Sequence, residues 1–310
     1  MPRSDDRRPC LVLGGTGHYG SQIVARLLER NQPVRVLSRD GARAREILGP
    51  GPEITAGDIR SRDAIATALD GATSMVIAVS SFTRKTARHR TAIERDAVLA
   101  SLDQASRAGV RRVVYLSGYD VREELLAPLG LLEFGRPMLD VQAALRASDL
   151  DWTVLGCSPS MELFFSMIRG DTMTVPGGGP PALPTIGGRD VGAIAAQAVM
   201  RDDLSGQHIR LPGPEALSFP EAARRISEVW GRSIRVRKIP LAPLRIAAVV
   251  TRPFNPFLRN LVWAVTLMNN FPADIVAQVP EDHARLRRLF DYEPTTLEME
   301  ARRRMRAAAK

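Results

Sequence analysis

The stretch Cys10–Gly20, CLVLGGTGHYG, constrains the fold more than any other part of the chain. Apolar residues run into Gly14, Gly17 and Gly20, and an amphipathic run, SQIVARLLER, begins at Ser21. Strand, glycine turn and helix in immediate succession make a phosphate cradle, because backbone N–H groups converge at a helix N-terminus with no Cβ in the way. Gly14 suits the tight turn, Gly17 the close approach of a pyrophosphate, and Gly20 the packing of helix on strand. A glycine triplet alone is weak, and its place between strand and helix is what gives it meaning.

The alternation continues along the chain. Pro33–Ser38, Glu53–Ala56, Thr73–Val79, Val110–Ser117 and Trp152–Leu155 read as strands, and helices are predicted over Arg62–Leu69, Arg84–Ala108 and Arg136–Ser148. Right-handed crossovers between such strands build an α/β doubly wound parallel sheet, the Rossmann arrangement, with ligands at the carboxyl ends of the strands. The expected organisation is a flexible lead-in over residues 1–8, a Rossmann core over 9–158 and a smaller, mainly substrate-binding region over 159–310, some of whose segments return to the core.

About 20 positions beyond such glycines, a carboxylate would accept from the ribose 2′-OH, whereas an arginine would accommodate a 2′-phosphate. Ser38 and Arg39 stand there, with Arg43 and Arg45 close behind. NADP(H) is therefore favoured over NAD(H), although Asp40 keeps NAD(H) open. Thr16, His18 and Tyr19 in the turn, Asp58 and Ile59 after the third strand, and Val79 and Ser80 after the fourth are further candidate cofactor contacts. Two readings stand for Asp58: contact with the adenine amino group, or capping of the helix that follows.

The polar opening MPRSDDRR lacks the apolar segment of a secretory signal, and a cytoplasmic protein is expected. Its 2 cysteines, Cys10 and Cys157, form no CxxC and have no clustered histidines, so no metal is expected. The apolar stretches Leu241–Val250 and Leu261–Met268 fall short of a membrane span. The net charge of +9 raises the question of nucleic acid, but the basic residues are nearly all arginines spread along the chain rather than gathered in one arm. A small-molecule partner is expected instead.

GGTGHYG, the strand ending in SRD, GDIRSRDAIATALDGATSMVIAVS, AGVRRVVYLSG, LRASDLDWTVL, GGRDVGAIAAQAV and GQHIRLPGPEALSFPEAARRISEVWGRSI, in that order, resemble the NmrA-like branch of atypical short-chain dehydrogenases/reductases. The likeness runs from about residue 9 to about residue 240. It implies NADP(H) in the glycine groove and a C-terminal substrate region. Members include reductases of small aromatic or quinone-like molecules and sensors with little or no turnover.

The resemblance also exposes a loss. The superfamily's proton relay is a tyrosine with a lysine four residues later, whose charge lowers the phenol pKa. No YxxxK occurs in this chain; Phe134 and Met138 stand at the corresponding positions, and Gln142 where a glutamate is often found. Ser117 matches the family serine. As a reductase, the protein would draw its proton from Tyr119, Ser117, water or the substrate; as a sensor it would tolerate the loss. Tyr119 is read either as that donor or as a packed aromatic.

After the sixth strand, Ser158 and the apolar run SMELFFSMI place Met161, Phe164 and Phe165 as candidate substrate contacts beside Phe134, with a packed core helix as the other reading. Met138 is a candidate for the cofactor side. Asp190 is read as a helix N-cap, Thr295 and Glu298 as a capping box, and the arginines among residues 84–90 as mostly solvated. The helices predicted over Leu241–Val250 and Pro256–Asn270 either close the substrate pocket or pair with a second subunit in a homodimer.

Overall fold

A computed structural model describes residues 8–251 and 254–308; most of the expected lead-in lies outside the described residues. β1 (Cys10–Leu13), α1 (His18–Glu29), β2 (Val34–Ser38), α2 (Gly41–Leu48), β3 (Glu53–Ala56), α3 (Arg62–Leu69) and β4 (Ser74–Ile77) alternate through the first half of the core. α4 (Ala97–Arg107), β5 (Arg112–Gly118), α5 (Glu123–Leu126), α6 (Leu132–Arg146) and β6 (Asp151–Cys157) follow. Beyond them come α7 (Glu162–Ser166), β7 (Ile168–Arg169), β8 (Thr172–Pro176), β9 (Leu183–Pro184), α8 (Gly188–Ala198) and β10 (Gln207–Leu211). β11 (Ala216–Leu217), α9 (Phe219–Trp230), β12 (Arg235–Ile239), α10 (Ala242–Val250), α11 (Pro256–Asn269), α12 (Ala273–Ala277), α13 (Val279–Leu289) and α14 (Leu297–Ala308) complete the chain.

The expected doubly wound sheet is present, with 7 strands in the order β10-β6-β5-β4-β1-β2-β3. All six pairings are parallel. Strand order reverses at β1, so the crevice between the ends of β1 and β4 is where a ligand fits. Along β1 the side chains alternate between two cores: Val12 packs with Val36, Val76 and residues of α1 and α8, whereas Leu11 and Leu13 pack with Met75, Ile77 and residues of α3 and α4. β10 brings part of the C-terminal half back into the sheet beside β6. A third core, including Phe164, Met173, Phe219 and Ile226, knits the C-terminal elements together.

Several local expectations need correction. The run Arg84–Ala108 is not one helix: a 3-10 turn at Ala87–His89 and a π-helical turn at Ala92–Asp96 precede α4. α6 starts four residues before the expected Arg136, with Pro137 inside it, and this sets Phe134 and Met138 one turn apart. Asp190 is not an N-cap. Gly187 caps α8, and the buried Asp190 carboxylate accepts from Thr295 N (2.9 Å) and Thr295 Oγ1 (2.5 Å). Thr295 is thus committed to Asp190, and Thr296 Oγ1 accepts from Met299 N (3.2 Å) at the start of α14.

Candidate functional site

The glycine turn opens into a groove of about 470 Å³ at the carboxyl ends of β1, β2 and β4. Gly14 has φ +81°, and a Cβ there would stand 2.4 Å from Ala78 O. A Cβ on Gly20 would stand 2.1 Å from Gly14 O, so α1 closes on the turn only through glycine. Gly17 caps α1 with no side-chain bond, which leaves the first-turn N–H groups for an external acceptor.

Ser38, Arg39, Asp40 and Arg43 line the groove's far end. The Asp40 carboxylate accepts from Arg43 N (2.9 Å) as the cap of α2, while Arg39 is exposed and has no ion-pair partner among the described residues. Asp58 also lines the groove but does not cap α3; Ser61 does, accepting from Ala64 N (3.3 Å). Hydrogen bonds from Arg60, the nearer at 2.8 Å, hold the Asp58 carboxyl down to about 2. A glycine cradle, an open helix N-terminus and an unpaired cation fit a dinucleotide. Thr16, Gly17, Ile59, Val79 and Ser80 line the same groove; Gly20 does not, being buried in the first turn of α1.

A second cavity, of about 640 Å³, continues from the groove, and His18, Tyr19, Val79 and Ser80 border both. Ser117, Phe134, Met138 and Ser158 line it, together with Leu163 and Ala264 of α11. The Phe134 ring lies 6.0 Å from that of Trp263, so α11 closes over this wall. Buried Gln142 donates to Ser117 Oγ (2.9 Å). Cys157 also borders the cavity, its thiol pushed up to about 12 by burial and therefore protonated.

Four expected site residues lie elsewhere. Tyr119 is buried away from the cavity and donates to Asp282 Oδ2 (3.0 Å), which also pairs with Arg210 (3.0 Å). Burial and the adjacent carboxylate push its phenol well above the ordinary range, so Tyr119 is the packed aromatic and not the cavity's acid. Met161, Phe164 and Phe165 face the third core, where Phe164 meets Phe219 edge-on at 5.2 Å. Helical spacing explains this: positions 161, 164, 165 and 168 share the buried face, and Glu162, Leu163 and Ser166 turn to the cavity.

Two polar groupings in the cavity wall join residues far apart in sequence or hidden in a charged run. Arg90, read as solvated, is 8% exposed and pairs with Glu94 (2.9 Å). It donates to Phe134 O (2.7 Å), and its guanidinium lies 4.6 Å from the Phe134 ring centroid. Glu94 accepts from Ser81 N (2.7 Å) and Oγ (2.8 Å), with the π-helical turn carrying it there. The second grouping joins His18 Nε2 to Ser160 Oγ (3.1 Å) and to Glu162 Oε2 (3.4 Å), while Ser160 Oγ donates to Glu162 (2.5 Å). Burial raises the Glu162 pKa, but the bonds from His18 and Ser160 outweigh it and bring the carboxyl down to about 2. Among the described residues, no cluster of His, Cys, Asp and Glu is arranged to hold a metal ion.

A family model described as NAD(P)H-binding matches residues 14–199. An NAD(P)H azoreductase of Xenophilus azovorans is 30% identical over 234 residues, covering 74% of this chain and 77% of the relative. The fold is shared with a Citrobacter sp. triphenylmethane reductase complexed with NADP(H), at TM-score 0.69 and 17% identity over 95% of this chain and 99% of that one. It is shared too with NmrA, a negative transcriptional regulator, at TM-score 0.71 and 19% identity over 96% and 95% of the two chains.

Proposed function

The chain belongs to the NAD(P)H-binding family, as the resemblance to NmrA-like atypical short-chain dehydrogenases/reductases implied, and from that premise we propose that it is an NADPH-dependent reductase of a hydrophobic, aromatic or conjugated small molecule. The observation that carries this reading is the continuity of the glycine groove with a largely apolar cavity through His18, Tyr19, Val79 and Ser80. Residues 9–158 hold the cofactor and also give Ser117, Phe134, Met138 and Ser158 to the substrate side, to which residues 159–310 add Ser160, Glu162, Leu163, Ser166 and Ala264. In the groove the α1 N-terminus receives the pyrophosphate, and Arg39 answers a 2′-phosphate that Asp40, engaged at α2, does not oppose. Bound nicotinamide supplies hydride to the substrate.

The chain's own residues hold, shield and protonate. Phe134, Met138 and Leu163 exclude water from one part of the cavity, and Ser117, fixed by Gln142, offers a hydrogen bond to a substrate oxygen or nitrogen. His18, braced by Ser160 and the Glu162 carboxylate, is the proton donor in place of the missing tyrosine. The free, buried thiols of Cys10 and Cys157 suit a reducing cytoplasm. A second reading, a non-catalytic NADP(H)-binding redox sensor acting through a protein partner, draws on the absence of YxxxK.

The deciding experiment incubates the protein with NADPH deuterated at either face of C4 and a panel of quinones, azo compounds and conjugated carbonyls, followed by mass spectrometry. Deuterium in a product, dependent on intact protein, supports the reductase. Tight NADPH binding with no transferred label from either stereoisomer would leave the sensor.

A further inference from the structure

α10 presents an inverted surface. The helix of a water-soluble protein normally turns its polar side outward, yet Ala242, Pro243, Ile246, Val249 and Val250 are all exposed on α10, and Arg245 is its only exposed charge. Ile246, Val249, Val250 and the nearby Phe254 are exposed by 65%, 75%, 71% and 82%, more than any other large hydrophobic side chain among the described residues. Ile246, Val249 and Val250 follow i, i+3, i+4 spacing and so occupy one face. Ala248, the helix's buried position, points the other way.

The segment that carries this face is one-sided in charge, and the carboxylate that lies beside it, Glu133, is already paired with Arg259 (3.2 Å). Between Glu228 and Asp274 the sequence contains no carboxylate, while the same stretch carries six arginines and Lys238. Arg235, Arg237, Lys238 and Arg245 form no ion pair among the described residues. Lys238 and Arg245 border one shallow depression with Leu241 at the start of α10. Exposed apolar side chains flanked by unpaired cations match the two needs of an interfacial helix: area to bury below the headgroups, and positive charge to meet anionic ones.

We propose that the α10 face docks the protein peripherally on an anionic lipid surface. A second copy of the chain is the weaker occupant, because a two-fold contact through this face would bring two carboxylate-free cationic segments together. The inference does not rest on the reductase reading. α10 packs on α11, which contributes Ala264 to the cavity wall, so docking would present the cavity one helix away from the lipid.

The test is co-sedimentation of the full chain with vesicles of phosphatidylcholine alone or mixed with phosphatidylglycerol, alongside sedimentation velocity without lipid. Each cation close to an anionic bilayer strengthens binding roughly fivefold, so the expected result is at least about tenfold tighter binding to mixed vesicles, weakened by salt. V249E/V250E should lower binding to mixed vesicles by about tenfold or more. Both side chains are exposed, so the melting temperature should stay within a few degrees; V249S/V250S, with no added charge, should show a smaller loss in the same direction. Equal binding to both vesicle types, no binding, or binding unchanged in both variants would overturn the proposal. So would a wild-type dimer that ignores anionic vesicles and is split by V249E/V250E, which would make a second copy the occupant.

Discussion

Arg39→Ala isolates the feature on which cofactor choice turns. Arg39 projects at the end of β2 without a carboxylate partner among the described residues, while neighbouring Asp40 is engaged by Arg43 N. A hydrogen bond to a charged group contributes about 1.5–3 kcal/mol. At this exposed position screening favours the low end, because two charges about 4 Å apart gain only about 1 kcal/mol in water against about 4 kcal/mol at an effective dielectric constant of 20. A loss of about 1–2 kcal/mol corresponds to roughly 5- to 30-fold in Kd for NADPH. NADH lacks the 2′-phosphate, so its Kd should change by less than about twofold. Calorimetric titration of wild type and variant with both nucleotides measures the difference, and raising the salt concentration should narrow the wild-type preference. Equal weakening of the two nucleotides would refute the assignment and return the ribose site to Asp40.

Gly20→Ala should destabilise the fold by about 3 kcal/mol in urea denaturation, because the new methyl meets the carbonyl of Gly14 at 2.1 Å. Tyr119→Phe should cost about 1.5–3 kcal/mol of stability through the lost bond to the Asp282 carboxylate, yet leave kcat within about twofold; a tenfold fall would restore Tyr119 as the acid. Burial raises Asp190 from 3.8 to about 6, so the folded state holds a proton that the unfolded chain releases; that stability is complete below pH 3.8 and lost as pH rises through 6. Asp190→Asn should flatten roughly 2–3 kcal/mol of this slope in denaturation series from pH 4 to 7. His18→Gln should lower kcat by about a hundredfold, the usual contribution of a positioned acid, while leaving NADPH affinity within about threefold; an unchanged kcat would exclude His18 as proton donor.

The core was legible because its signals are local and repeated. β1 is buried on both sides and therefore continuously apolar, and Gly14 and Gly20 mark a turn with no room for a Cβ. Boundaries were less legible. Pro137 suits a helix start, yet α6 begins at Leu132 and carries the proline within it. The charged run after β4 looks solvated in sequence, but a π-helical turn rotates Glu94 towards Ser81 and lets Arg90 sink against Phe134. The i,i+4 spacing of Arg90 and Glu94 was the available signal, and on an exposed helix the same spacing is commonplace.

The site was half legible for a related reason. Phe134, Met138 and Ser117 meet in the cavity because α6 and β5 are regular elements whose register the sequence carries. The His18, Ser160 and Glu162 grouping depends instead on how the segment after β6 folds back over the glycine turn, a contact between residues more than 140 positions apart. That fold-back changes what the loss of tyrosine and lysine means. At Phe134 and Met138 the wall is apolar, and the cation that lies over Phe134, Arg90, is already matched by Glu94. A proton source there would have to break a buried ion pair, whereas His18 stands half-exposed where groove and cavity meet, held by groups that need not change state. On the proposed reductase reading, proton delivery from α1 and the β6–α7 segment therefore asks less of the structure than restoring it on α6, and an apolar wall facing Ser117 and His18 would suit a flat, hydrophobic substrate with its reducible group turned towards those two.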